Sequence, residues 1–165
     1  MLKLSLQENK QQGGFMSWSD LRKGRYTQEH GEYFVTFNTY NKIPHFTDFN
    51  LACVFSQQIN INEAKYSCTW MSWVLMPDHF HGLLRLNIKG STLPRIVGAL
   101  KGSSSFIINK ERGQKEKFWQ PSFYDHALRV DDNRKKLARY IIANPLRKGL
   151  VNNIGDYPFW NSIYL

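Results

Sequence analysis

The stretch that most constrains the fold runs from residue 70 to residue 86. Trp70-Met71-Ser72-Trp73-Val74-Leu75-Met76 is almost continuously apolar, Pro77-Asp78 interrupts it, and His79-Phe80-His81-Gly82-Leu83-Leu84-Arg85-Leu86 resumes it. Two apolar runs joined by a two-residue turn signal predict a β-hairpin in a buried sheet. Strand side chains alternate, so His79 and His81 leave the second strand on one face and Phe80 leaves it on the other. Two imidazoles held side by side on a rigid strand form half of a divalent-metal site. The competing role is a pair of partly buried histidines hydrogen-bonded to their neighbours.

Around this hairpin the chain reads as alternating strands and helices. Residues 32–39, rich in β-branched and aromatic side chains, predict a first strand. Thr47-Asp48 opens a helix whose apolar positions Leu51, Val54, Phe55 and Ile59 recur every three or four residues. Residues 66–76 and 79–86 form the hairpin. Ser91-Thr92-Leu93-Pro94 supplies an N-cap and an early proline for a second helix toward Ile108. Residues 118–130 predict a last strand segment, and Asp131-Asp132 the start of a third helix that ends near Asn144, with Pro145 as its stop. This order predicts an α+β domain: a ferredoxin-like, split β-α-β antiparallel sheet with an added C-terminal helix. Helices on one face of such a sheet would leave the other open to a ligand. The expected organisation is a loose lead-in over residues 1–20, one domain over 21–152 and a tail, 153–165, packed on that domain.

Charge narrows the class of partner. Twenty-two Lys and Arg against 13 Asp and Glu give a formal charge of +9, and aromatics make up 15% of the chain. Cations for phosphates and rings for bases are what a nucleic-acid binder carries, although a basic soluble protein can share that balance. Arg22-Lys23-Gly24-Arg25-Tyr26 is a compact basic cluster. Lys101-Gly102-Ser103-Ser104-Ser105 is a small polar patch, open either to close approach of a DNA backbone or to a kink in its helix. Cys53 and Cys68 form no metal or redox motif and read as reduced thiols in the core. No signal peptide or membrane span is apparent, and the expected location is cytoplasmic.

The third helix holds the second half of the chemistry. Tyr140 and Asn144, four residues apart, share a helix face. A tyrosine phenolate can attack a phosphodiester that a metal has polarised, leaving a covalent phosphotyrosine. Asn144 offers a neutral carbonyl oxygen as a third ligand suited to Mg²⁺ or Mn²⁺. Taken singly, Tyr140 also reads as a packed aromatic and Asn144 as a helix-end residue.

These blocks together resemble the single-tyrosine HUH transposases, in the branch of REP-associated tyrosine transposases. The resemblance is carried by Arg22 to Tyr26, Tyr33-Phe34-Val35-Thr36, the Met76-Pro77-Asp78-His79-Phe80-His81 block, residues 118–129, and Tyr140-Ile141-Ile142-Ala143-Asn144-Pro145 with the residues after it. It spans roughly residues 20–152. It implies a metal-dependent enzyme that nicks single-stranded DNA near repeat-derived hairpins, keeps the 5′ phosphate on tyrosine and can rejoin strands. It further implies His79 and His81 as metal ligands with Asn144 as the third, and Tyr140 as the nucleophile.

Tyr124, near Asp125 and His126, is the rival nucleophile. Phosphate contacts are expected from Arg22, Lys23, Arg25, Lys101, Arg129, Arg147 and Lys148, and base stacking from Trp119 and Tyr124, with core packing as the other role for both rings. His126 is expected to contact DNA or to support the site. The oligomeric state is open between monomer and homodimer. The main alternative function is a non-catalytic single-stranded nucleic-acid-binding module of the same topology, and a water-activating metal hydrolase is another.

Overall fold

A computed structural model describes residues 30–88 and 91–165. The Arg22, Lys23 and Arg25 cluster and the lead-in over residues 1–20 lie outside the described residues.

Five strands form one antiparallel sheet: β1 (Glu32–Asn38), β2 (Cys68–Met76), β3 (His79–Leu86), β4 (Tyr124–Ala127) and β5 (Trp160–Ser162), in the order β4-β1-β3-β2-β5. The first four follow the expected split β-α-β order, and β5 extends the sheet beyond β2. The helices are α1 (Phe49–Tyr66), α2 (Leu93–Glu111), α3 (Arg134–Ile142) and the single turn α4 (Asn144–Arg147). Among the described residues no helix is long and apolar enough to cross a membrane.

Local chemistry explains most boundaries. The Asp48 carboxylate caps α1 by accepting from the Asn50 and Leu51 amides. Ser67, left-handed at φ 48, turns the chain from α1 into β2, so that strand starts at Cys68 rather than at Tyr66. The hairpin forms as its sequence predicts, with Met76 opposite His79. Gly82 sits where a Cβ would meet the Trp70 indole at 2.7 Å, so its bare backbone is what lets that ring lie across β3.

The larger core lies between the sheet and α1 and α2. Phe37, Phe55, Phe80 and Trp119 pack there ring against ring, with Phe37 and Phe80 stacked at 4.9 Å. Each such buried ring contributes roughly 1.5–3 kcal/mol. A bulge between Trp70 and Ser72 changes the phase of β2. Trp70 and Trp73 therefore both face α1 and α2, while Met71, Val74 and Met76 face the other way. That second apolar strip needs a cover, and Leu137 and Ile141 of α3 provide it, with Leu83 and Leu128 completing the cluster.

Several expectations are corrected here. Helices occupy both faces of the sheet, so only part of the second face is open. The strand segment expected over 118–130 shrinks to Tyr124–Ala127, with Trp119 joined to Thr39 by an isolated bridge. The third helix begins at Arg134, capped by Asn133, because the Asp132 carboxylate is engaged with the Arg129 amide. It ends at Ile142, before Asn144, and Pro145 lies inside the short turn that follows. Gly149, at φ +66, closes that turn.

Candidate metal and nucleophile site

His79 and His81 are neighbours on the outer face of β3, with ring centroids 4.7 Å apart and planes at 81°. Each ring is held through Nδ1. His79 Nδ1 lies 2.5 Å from Asp78 Oδ1, and His81 Nδ1 lies 2.7 Å from the Thr36 hydroxyl. Thr36 is directly opposite His81 in the β1–β3 register, so the sheet itself delivers that partner. With both Nδ1 atoms engaged, Nε2 is the nitrogen each ring has left to offer a metal. Burial, then the His79 ring and the Arg147 charge, push the His81 pKa down to about 3, against the opposing pull of Asp78. His81 is therefore neutral at physiological pH, the form a metal ligand requires.

The α3–α4 junction lies on the same face. Ile141 points inward with Met71, Val74 and Leu83, which leaves Tyr140 facing outward and 46% exposed. Asn144 is only 5% exposed, and its amide is fixed on both sides. Nδ2 donates to the Tyr140 and Ile141 carbonyls at 3.3 and 2.8 Å, and Oδ1 accepts from Arg147 at 2.8 Å. The Arg147 guanidinium lies 3.9 Å above the centre of the Tyr140 ring. Tyr140 and Asn144 do not share one continuous helix, since α3 ends at Ile142; the Asn144 amide bridges the break to α4, and Arg147 links the two side chains.

For a divalent cation the residues fit in kind: two neutral imidazoles with Nδ1 already anchored, and a fixed amide oxygen nearby. Among the described residues no cluster of three His, Cys, Asp or Glu side chains is arranged to hold a metal. Among the described residues, Asn144 offers a side-chain oxygen of another type.

Residues 27–144 match the model of the family described as transposase IS200-like, a span covering most of the chain and including His79, His81, Tyr140 and Asn144. The chain belongs to the IS200-like transposase family. Among curated relatives of this IS200-like chain, a REP-associated tyrosine transposase of Escherichia coli K12 is 30% identical over 97 residues, covering 53% of this chain and 50% of that protein. A putative REP-associated tyrosine transposase of Haemophilus influenzae is 26% identical over 94 residues, covering 52% of this chain and 53% of its own length. The chain thus spans about half the length of the curated relatives it matches. The fold is shared with a REP-associated tyrosine transposase solved bound to a REP hairpin, at TM-score 0.70 and 24% identity over 82% of this chain and 79% of that one. A putative transposase from Deinococcus radiodurans R1 aligns at TM-score 0.52 and 22% identity, over 72% of this chain and 94% of that one.

The remaining nominated residues separate into two groups. Tyr124 and His126 stand exposed on β4, opposite Thr36 and Phe34, and so share the outer face with the histidines. Arg129, Arg147 and Lys148 are exposed as well. Trp119 is corrected: it is 6% exposed, and its indole donates to the Ser104 hydroxyl at 3.0 Å inside the core, so its ring is not presented to a base. Within the small-residue patch of α2, Ser104 is buried against that indole, Gly102 and Ser103 are exposed, and the helix is unbroken. Lys101 is corrected too. Its ammonium donates to the Gln120 carbonyl at 2.8 Å and to the Ser122 carbonyl, pinning the loop before β4, so it is engaged within the protein rather than held out for phosphate.

Sequence reasoning missed three contributors. Thr36 acts only through cross-strand register. Phe34 lies stacked on the His81 ring at 5.7 Å and 17°. The role of Asp78 was readable in retrospect, since a carboxylate beside His79 is the ordinary way to orient an imidazole.

Proposed function

We propose that this protein cuts and rejoins single-stranded DNA through a 5′-phosphotyrosine on Tyr140, assisted by Mg²⁺ or Mn²⁺ held by His79 and His81, with Asn144 as the third protein ligand. The observation that carries the reading is that an outward-facing tyrosine and two imidazoles with anchored Nδ1 atoms are linked through Arg147, which lies over the Tyr140 ring and whose charge acts on His81. Family membership and relatives named as REP-associated tyrosine transposases support it. A neighbour solved on a REP hairpin makes a repeat-derived hairpin with single-stranded flanks the substrate class to try first.

A bound divalent cation supplies Lewis-acid polarisation of a non-bridging phosphate oxygen and offsets charge as the phosphorus becomes five-coordinate. The protein supplies the rest. Asp78 and Thr36 keep the imidazoles oriented. The Tyr140 oxygen forms a bond to phosphorus as its proton passes to water, and the bond from phosphorus to the 3′ oxygen breaks. That oxygen takes a proton and leaves as a 3′ hydroxyl. In the reverse direction a 3′ hydroxyl attacks the phosphotyrosine, and Tyr140 regains its proton. Phe34, Tyr124 and His126 form a platform on the outer face for unpaired bases. The exposed cations Arg129 and Lys148, together with the Arg22, Lys23 and Arg25 cluster, are proposed to hold phosphates.

Incubating the protein with hairpin oligonucleotides and Mn²⁺, then resolving products on a denaturing gel, tests the reading. A protein–DNA adduct lost in Tyr140→Phe and retained in Tyr124→Phe is the expected result. An adduct lost only in Tyr124→Phe would move the nucleophile to β4. Binding without any adduct would favour the non-catalytic single-strand binder, a reading for which the exposed rings of the outer face would suffice.

A further inference from the structure

One group in the site has a use that the cutting reaction does not explain. Arg147 is exposed, with water available to it, yet it lies over Tyr140 and donates to the one Asn144 atom that could serve a metal. The identity of that atom is fixed by chemistry: the other end of the amide faces two carbonyls and must be the nitrogen. The turn that brings Arg147 back is itself specified, since the Arg147 amide bonds to the Ala143 carbonyl and Gly149 closes the turn in a left-handed conformation.

We propose that Arg147, through its hydrogen bond to the Asn144 carbonyl oxygen, competes with a divalent metal for that oxygen. The proposal rests on the reading of His79, His81 and Asn144 as metal ligands. A carbonyl oxygen has two lone pairs, but a guanidinium and a divalent cation on the same oxygen repel at close range, where screening by water is weak. Metal arrival therefore turns the guanidinium away from Asn144. The anion then nearest to it is a phosphodiester at Tyr140, a match to the forked N–H geometry of arginine. A DNA phosphate thus gives Arg147 a second partner. Metal and single-stranded DNA then bind with positive coupling, and the coupling must be reciprocal. Arg147 acts on the metal through Asn144 and is a positioning residue in that role.

The test is calorimetric titration with Mn²⁺ alone, on the wild-type chain, Arg147→Ala, Arg147→Lys and His79→Ala. Removing a competitor tightens Mn²⁺ binding, by roughly 5-fold or more for a coupling of ordinary size. Arg147→Lys keeps the charge but loses the planar fork, and lies between the two. Structural damage would weaken metal binding, so the sign of the change separates competition from disruption. Should Arg147→Ala fail to fold, Arg147→Met keeps the aliphatic stem over the Tyr140 ring and gives the same readout. A second arm adds single-stranded oligonucleotide to the uncleaving Tyr140→Phe chain. Mn²⁺ affinity is expected to rise there, and to rise less when Arg147→Ala is added.

Mn²⁺ binding that His79→Ala abolishes but Arg147→Ala leaves unchanged or weaker overturns the competition and leaves the metal reading intact. Absence of Mn²⁺ binding in every chain, with or without DNA, overturns both.

Discussion

The two faces of the sheet are built to different rules. Toward α1 and α2 the sheet presents Phe37, Trp70, Trp73, Phe80 and Leu84, and the Trp119 indole packed with them donates to Ser104. Toward α3 only the strip of Met71, Val74, Met76 and Leu83 is covered. Beside that strip lie Phe34, Thr36, His79, His81, Tyr124 and His126, all partly or fully exposed. The contrast separates a face that is sealed throughout from one that is sealed only under α3 and, in the proposed function, carries the chemistry on its open part. The same strand, β3, serves both, because Phe80 faces inward between two outward histidines.

The contrast can be broken most forcefully from the sealed face. Phe80→Ala removes a fully buried ring and is expected to cost about 3–5 kcal/mol, read as a large fall in the chemical-denaturation midpoint. Metal affinity per folded molecule should change far less, and a site lost while the fold persists would show that the faces are not separable. On the open face, Thr36→Val keeps the strand but strips His81 of its Nδ1 partner. Mn²⁺ affinity should then fall roughly 10- to 100-fold with little change in stability. Tyr124→Ala, farther across the same face, should weaken binding to an unpaired strand by about 1–3 kcal/mol and leave the melting temperature in place. Unchanged affinity would remove Tyr124 from the platform.

The open face can also be tested through a pH slope. His81 titrates near 3 when folded against an ordinary value of 6.5. Below pH 6.5 the unfolded chain binds a proton that the folded chain refuses until about 3. Stability is therefore full above 6.5 and declines as the pH falls from there toward 3. His81→Asn should flatten that part of the melting-temperature profile between pH 7 and 4, and an identical slope in both chains would mean that the His81 ring titrates alike in the folded and unfolded chains.

The sequence by itself determined the hairpin, the order of the four strands of the split β-α-β sheet and the pairing of His79 with His81, but not β5. These follow from local rules: two-residue alternation in strands, helical spacing of apolar positions, and a turn signal between two apolar runs. Tertiary structure decided the rest. The bulge in β2 cannot be read from an apolar run, because every residue there suits burial on either face. The place of Trp119 in the core depends on Ser104, fifteen residues away on another element, so its ring alone could not distinguish packing from stacking. Lys101 reads as a free cation until the loop carrying the Gln120 and Ser122 carbonyls folds over it. The partners of the two candidate ligands divide in the same way. Asp78 is adjacent in sequence, so its role was open to local reasoning that overlooked it, whereas Thr36 reaches His81 only through strand register. Arg147 meets Asn144 only because the chain breaks after Ile142 and turns back. Sequence specifies which groups are present and which way each element faces; the meeting of groups from separate elements is decided by packing, where long-range contacts select one arrangement.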